Sequence, residues 1–182
     1  MDTSPRHTSR SGQSLVEALI AISVVMMGLM GALSLLSNSI GLSRTVSDNY
    51  LATYLSAEGI EVTKNILDHN AVLKSKGVPG VSWNDDICVF ANTAFEVQYD
   101  TTSSAVMRLN NFSANSINPL LLDPATGNYS YNAPGGQPTP FTRTIKTSCS
   151  NEEISVQSIV RWKGRGGISS QVVLEDKFYD WR

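Results

Sequence analysis

Glu17 is a lone carboxylate at one end of a long apolar segment. Residues 18–43 carry no charged side chain. About 20 predominantly apolar residues are enough to cross a lipid bilayer. A carboxylate near the end of such a segment is costly unless another group pairs with it. The position of Glu17 therefore predicts a partner group for its charge.

Gly12 lies immediately before the apolar segment, five residues ahead of Glu17. A short basic stretch with Arg6, His7 and Arg10 precedes it. Together these residues resemble the class III signal of the type IV prepilin family. The resemblance implies that Gly12 is the substrate position of a peptidase, whose cleft must reach the backbone closely and so suits a residue without Cβ. The alternative is an ordinary glycine in an N-terminal tail.

This resemblance implies a processing pathway and a set of partners. In that family a prepilin peptidase cuts after the glycine, on the cytoplasmic side, and leaves the apolar segment attached. The mature chain would begin at Gln13, and Gln13 would be N-methylated, although Phe is usual at this position in major pilins. In the assembled filament, the Glu17 carboxylate would meet the N-terminal ammonium of a neighbouring subunit. The implied partners are other pilin subunits, the peptidase and the pilus assembly platform in the cytoplasmic membrane.

Two other interpretations of the N-terminus can be weighed against this one. A secretory signal peptide has an apolar region of about 7 to 15 residues, followed by its cleavage site. The apolar run here is longer, and the candidate glycine precedes it. A plain signal anchor needs neither Gly12 nor Glu17 but tolerates both. The chain would then be a single-pass membrane protein whose ectodomain binds a ligand or partner without assembling. Arg6 and Arg10 favour a cytoplasmic N-terminus for a prepilin and for a signal anchor alike.

Cys88 and Cys149 both follow the apolar segment, and the chain has no other cysteine. An oxidising compartment would let them pair, with free thiols as the alternative. A bridge would close a loop of about 60 residues, which is worth roughly 4 kcal/mol in the chain-entropy model. Two cysteines make a poor zinc site, since structural zinc takes four ligands and the only histidines are His7 and His69. No catalytic motif is recognisable, so the sequence predicts no enzyme, metal or cofactor.

A long helix is predicted at the N-terminus, because no proline occurs between Pro5 and Pro79. We expect it to run from residue 13 to about residue 68. Its first half is apolar on all sides, as in a helix embedded in lipid or in a bundle core. In its second half, apolar residues recur at helical spacing at Leu51, Leu55, Val62 and Ile66. This stripe predicts that the second half packs against a sheet.

Short strand patterns follow the helix. Residues 95–100 alternate apolar and polar, which predicts a strand with one buried face. Residues 110–140 are rich in Asn, Pro and Gly and are expected to form a long loop. Residues 141–146 resume a strand, and the next two strands each have one apolar face: Ile154, Val156, Val160 and Trp162 on the first, and Ile168, Val172 and Leu174 on the second. The glycine-rich residues 164–167 predict a hairpin turn between them.

The expected fold is α+β, with a long N-terminal helix packed on an antiparallel sheet of about four strands. This arrangement resembles the type IV pilin fold. The segment 51–66 and the closing hairpin that ends in Trp181 are similar to minor pilins of the pilus-modification kind. Three segments are expected: a leader peptide at 1–12, a transmembrane and assembly segment at 13–43, and an ectodomain at 44–182.

The charge balance and the resemblance together lead to a functional expectation. Removal of residues 1–12 leaves 12 basic and 15 acidic residues, a net charge of about −3, which does not favour nucleic-acid binding. The resemblance implies a structural minor pilin or pseudopilin. Such a subunit would be held in the cytoplasmic membrane before assembly and in a cell-surface filament afterwards.

Overall fold

The computed structural model describes residues 11–85, 87–91, 93–98, 118–150 and 152–180. Arg6, His7, Arg10 and Trp181 lie outside these ranges. The described chain is α+β, with one long helix and an antiparallel sheet. It divides into two compact units, Met1–Val46 and Ser47–Arg182.

The elements occur in a simple order along the chain. They are helix α1 (Ser11–Ser75), a 3-10 helix (Cys88–Phe90), β1 (Ala94–Phe95), β2 (Pro119–Leu122), β3 (Tyr129–Ser130), β4 (Gln137–Cys149), β5 (Glu153–Lys163), a 3-10 turn (Arg165–Gly167) and β6 (Ser169–Tyr179). The predicted long helix is confirmed. It continues to Ser75, past the predicted end near residue 68, because the next proline comes only at Pro79.

The first unit holds the apolar part of α1. Its large apolar side chains are exposed, among them Leu15, Leu19, Met27 and Leu35. By length and composition, the helix from Gln13 onward is able to cross a membrane. A signal sequence or the core helix of a soluble protein meets the same criterion, but none of the most apolar stretch of α1 is buried.

The second unit places the remainder of α1 on the sheet. The predicted apolar stripe is confirmed, since Leu55, Val62 and Ile66 are each at most 4% exposed and Leu51 is half-buried. Asn70, near the end of the helix, is also buried, and its side-chain amide donates to the Asp85 carbonyl at 2.8 Å. This bond ties the last turns of α1 to the loop that follows.

The sheet is entirely antiparallel, with the strand order β3–β2–β4–β5–β6, and β1 also pairs with β4. Within the described residues six strands form it, rather than the expected four. The two additional strands, β2 and β3, come from the region expected to be a loop. Leu121 and Leu122 of β2 pair with both β3 and the early residues of β4, which begins at Gln137. The sequence did not predict these two strands, because segments of two to four residues are too short to show an alternation of apolar and polar residues.

The strand expected at residues 95–100 is shorter than predicted. Of its described residues only Phe95 pairs with β4, together with Ala94 just before it, and Tyr99 and Asp100 lie outside the described residues. Glu96 was expected to face solvent but is only 2% exposed. Its carboxylate accepts hydrogen bonds from the backbone and side chain of Asn118, at 3.2 and 3.3 Å. A partner 22 residues away therefore reverses the exposure that alternation predicts.

The hairpin turn between β5 and β6 is confirmed. Gly166 and Gly167 have φ values of 81° and 77°, a backbone conformation that favours glycine. Ile168 was expected on the apolar face of the last strand. It lies instead in the turn before β6 and is 70% exposed. Val172 and Leu174 are half-buried, as the pattern predicts.

Two apolar clusters form the core of the second unit. One includes Val62, Ile66, Ile145 and Val156, and the other includes Leu55, Leu120, Phe141, Val160 and Trp162. Between the two clusters, α1, β4 and β5 each contribute buried residues that are small or polar. These are Ser56, Gly59, Arg143 and Ser158, which we call the polar layer; it lies buried between the clusters.

Candidate assembly site

Gly12, Gln13 and Glu17 all lie in the first two turns of α1. Gln13 and Glu17 are exposed, and their four-residue spacing puts them on the same side of the helix. The neighbours of Glu17 are apolar and also exposed: Val16 is 54% exposed and Ile20 is 60% exposed. Among the described residues, no cation lies within ion-pair distance of Glu17. Its carboxylate is thus available to a group supplied from elsewhere.

The Cys88–Cys149 disulfide is present in the structure. Cys88 begins the 3-10 helix and Cys149 ends β4, with a Cα–Cα distance of 5.9 Å, in the usual range for a bridge. Both half-buried cysteines pack against the core cluster that contains Ile145. The bridge fastens the segment that leaves α1 to the end of a central strand.

Among the described residues of the second unit, Arg143 is the most buried charged group, and the sequence analysis did not single it out. Its side chain is fully buried. One terminal nitrogen, Nη1, donates to the Leu55 carbonyl at 3.1 Å and lies 3.2 Å from Oε2 of Glu58, while Nη2 donates to the Val97 carbonyl at 2.9 Å. Arg143 thereby joins α1, β4 and the segment after β1. The sequence could have indicated that Arg143 faces the core, because alternation along β4 puts residue 143 on the same face as Phe141 and Ile145.

Tyr131, which follows β3, reinforces this arrangement. Its hydroxyl donates to the Arg143 carbonyl at 2.7 Å, and its backbone N–H donates to the Gln98 side chain at 3.0 Å. Burial raises the pKa of the Tyr131 phenol, an effect that the positive charge of Arg143 partly offsets. The phenol stays protonated and keeps its donor role throughout the physiological range.

Gly59 allows α1 to approach the sheet closely at the polar layer. A Cβ at this position would lie 2.5 Å from Oγ of Ser158 and 2.9 Å from Cδ1 of Ile145. One turn earlier, the Ser56 hydroxyl donates to the Ser158 carbonyl at 2.7 Å. The small residues at 56 and 59 therefore set the distance between the helix and β5 and the position of the helix along this strand.

A cleft of about 190 Å³ lies near the C-terminal end of α1. Lys64 and Asp68 of the helix line it together with Trp83, Lys177 and Asp180. Lys177 is already paired with Glu153 at 2.7 Å, and Asp180 with Lys74 at 2.9 Å. Within the described part of the chain, no group of three or more His, Cys, Asp or Glu side chains is placed to hold a metal ion. The cleft thus offers mainly charges that are already neutralised by their neighbours.

The chain matches no protein-family model, no curated protein and no solved structure. These comparisons identify no pilin family. The resemblance to prepilins therefore depends on the N-terminal residues and on the order of helix and sheet.

Proposed function

We propose that this chain is a structural subunit, a minor pilin or pseudopilin, of a type IV pilus-like filament. In this proposal the chain is inserted in the cytoplasmic membrane, cut after Gly12 by a prepilin peptidase, and assembled through α1. The observation that carries it is an exposed apolar helix with a single carboxylate, Glu17, near its start.

The exposed apolar surface of α1 needs an apolar environment. From Leu15 to Val46, every large aliphatic or Met side chain that the structure describes is at least 48% exposed. Soluble monomers rarely expose contiguous apolar patches larger than a few hundred Å², and larger ones mark membrane or protein contacts. A bilayer provides this environment before assembly. A bundle of the same helices from other subunits provides it afterwards.

Glu17 gives this helix bundle its register. After cleavage, the α-amino group of Gln13 becomes a cation near neutral pH, since such groups titrate near about 7.7 to 8.0. In a medium of low dielectric constant, an unpaired carboxylate is costly, so a subunit in the wrong register leaves Glu17 without a partner. Pairing with the ammonium of a neighbouring subunit removes this cost. The charge therefore disfavours incorrect packing more than it stabilises correct packing.

Within the second unit, buried contacts hold α1 on the sheet. Arg143 and Gly59 fix the helix to β4 and β5, and the Cys88–Cys149 bridge fastens the segment after α1 to the end of β4. Contacts buried at the polar layer make the helix and sheet of this unit move together.

The decisive experiment is mass analysis of the N-terminal peptide from cells with and without the prepilin peptidase. We expect a chain that begins at Gln13, with or without one added methyl group, and that reverts to the uncut form when the peptidase is deleted. A bulky replacement at Gly12 should likewise leave the precursor uncut. An N-terminus at Met1 in both strains would contradict the proposal and indicate an ordinary anchor whose ectodomain binds a ligand.

A further inference from the structure

Strand β6 is a long edge strand of the sheet. It pairs with β5 along its full length, from Ser169 opposite Lys163 to Tyr179 opposite Glu153, without a register shift. Among the strands that the structure describes, none pairs with its other edge. It contains neither proline nor glycine, so nothing in its own backbone chemistry blocks a further strand. A free edge of this kind is a template for an additional strand.

The hydrogen bonds at the two ends of the β5–β6 pair show which backbone groups face outward. The Asp180 N–H donates to the Glu152 carbonyl at 3.2 Å, and the Gly164 N–H donates to the Ile168 carbonyl at 2.8 Å. In an antiparallel pair, bonded and non-bonded positions alternate. Even-numbered residues of β6 are therefore bonded to β5. The odd-numbered ones, which include Gln171, Val173 and Glu175, direct N–H and C=O to the open edge.

The two halves of this edge differ. At the C-terminal half, the Asp176 carboxylate accepts the outward N–H of Lys177 at 2.8 Å, which removes that donor. Charged residues occupy positions 175, 176 and 177 in succession, and charge on an edge discourages pairing. Residues 169–174 carry no charge. The β6 edge is therefore open from residue 169 to residue 175, since the blocked backbone donor is that of Lys177.

Apolar side chains of β6 also remain incompletely covered. Val172 and Leu174 are half-buried, whereas Val156 and Val160 of the neighbouring strand β5 are fully buried. On the opposite face, Val173 is 45% exposed. A strand added at this edge would cover Val172 and Leu174 on one face of the sheet and Val173 on the other.

We propose that β6 pairs with β6 of a second copy of this chain, antiparallel, about a two-fold axis at Val173. In this register, Val173 lies opposite Val173 of the second copy. By symmetry, the pair of Val172 with Leu174 and the pair of Gln171 with Glu175 each occur two times in the dimer. The odd-numbered residues form the hydrogen-bonded pairs, as their outward backbone groups require. Apolar side chains meet apolar ones, and the amide of Gln171 meets a carboxylate. A two-fold contact of this kind is self-complementary.

Registers shifted toward the charged C-terminal half of β6 are less favourable. An axis at Glu175 or at Asp176 sets two carboxylates directly opposite each other, and like charges in that position destabilise a sheet. An axis at Leu174 sets Val172 opposite Asp176 twice, which brings a charge against an apolar side chain. The axis at Val173 avoids both conflicts. This inference goes beyond the proposed function and does not depend on it, since it involves the sheet of the second unit alone.

Proline at position 173 gives a direct test. Val173→Pro removes an outward N–H and leaves the bonds between β5 and β6 intact, because residue 173 does not donate to β5. Val173→Ala keeps the N–H and is the matched control. The full-length protein in detergent would be measured by light scattering over a range of concentrations. We expect dimers for the native chain and for Val173→Ala, with a dimer dissociation constant raised at least tenfold by Val173→Pro, since the two symmetric hydrogen bonds are lost.

A second measurement locates the contact and does not depend on the folding of the proline variant. Facing residues of a hydrogen-bonded pair have Cα atoms about 5.5 Å apart, within reach of a disulfide. Oxidation of Val173→Cys should therefore give a covalent dimer. Lys146→Cys, exposed on the central strand β4, should not. Equal dimerisation of Val173→Pro and the native chain, a monomeric native chain, or equal cross-linking at both cysteines would each overturn the proposal.

Discussion

The carboxylate of Glu58 lies 3.2 Å from Nη1 of Arg143, and no other acidic group that the structure describes lies within ion-pair distance of this guanidinium. The two partners differ in environment: the Arg143 side chain is fully buried, whereas that of Glu58 is 28% exposed. Nε of Arg143 has no hydrogen-bond partner. The cation therefore depends on Glu58 and on two backbone carbonyls for all its compensation.

Glu58→Gln should destabilise the second unit because it leaves a buried cation without a counter-charge. We expect a loss of about 1 to 3 kcal/mol in the free energy of unfolding, below the range for a fully buried pair because Glu58 is reached by water. The fluorescence of the buried Trp83 and Trp162 reports unfolding in urea. Glu61→Gln is the control, since Glu61 forms an exposed surface pair with Lys64 at the long distance of 3.8 Å. Loss of this pair should change the free energy of unfolding by less than about 0.5 kcal/mol. Equal effects of the two substitutions would contradict this account.

Gly59→Ala should destabilise the protein although alanine is the better helix former. Alanine gains up to about 1 kcal/mol of helix propensity over glycine. The added methyl, however, would lie 2.5 Å from Oγ of Ser158 and 2.9 Å from Cδ1 of Ile145, so these buried side chains or the helix itself must shift, and such overpacking costs about 1 to 3 kcal/mol. Urea unfolding measures the balance. Ser158→Gly in the same chain should restore part of the loss, whereas Ser158→Gly alone should not stabilise.

The helix and its buried stripe were predictable, since Leu55, Val62 and Ile66 recur at the helical period and no proline interrupts them. Features that depend on distant partners were not. Glu96 alternates correctly for an exposed position, yet Asn118 holds it inside the fold. Arg143 follows the inward alternation of β4, but only the positions of Leu55, Glu58 and Val97 in space show that a cation can be accommodated there.

Removal of the Cys88–Cys149 bridge should lower stability by about 4 kcal/mol, since the bridge closes a 61-residue loop in the unfolded chain. Urea unfolding of the native chain with and without reductant gives this difference. The Cys88→Ala, Cys149→Ala double variant should match the reduced native chain and should not respond to reductant. A native chain that is equally stable in both conditions would show that the bridge contributes nothing.

Asp123 should titrate at a lower pH than an ordinary aspartate. The backbone N–H of Ala125 and then the hydroxyl of Thr126 donate to its carboxylate, and both bonds lower its pKa from the ordinary 3.8. A depressed folded-state pKa means that the turn gains stability above the unfolded-state pKa and loses it as the pH falls through the folded-state value. NMR titration of the native chain and of Thr126→Ala measures this shift. Thr126→Ala should raise the pKa of Asp123 part of the way back, and an unchanged value would exclude the hydroxyl as a cause.

Glu17→Ala should separate filament assembly from the earlier steps. Alanine leaves the apolar segment at least as suitable for a membrane, since a charge near the bilayer is costly. Membrane insertion and cleavage after Gly12 should therefore persist. Under the proposed function, incorporation into filaments should fall, because the variant would have no carboxylate to pair with the ammonium of a neighbouring subunit and to set the register.

The matched control for this experiment is Ser14→Ala, which changes an exposed polar side chain in the same first turns of α1 but leaves the carboxylate in place. Immunoblots of sheared filaments against whole-cell protein give the incorporated fraction, and the processed form is measured in the same samples. Glu17→Asp tests distance: it keeps the charge on a shorter side chain, so partial incorporation is expected. If Glu17→Ala and Ser14→Ala both incorporate as well as the native chain, the carboxylate has no part in assembly, and the exposed apolar surface of α1 alone would have to select its neighbours.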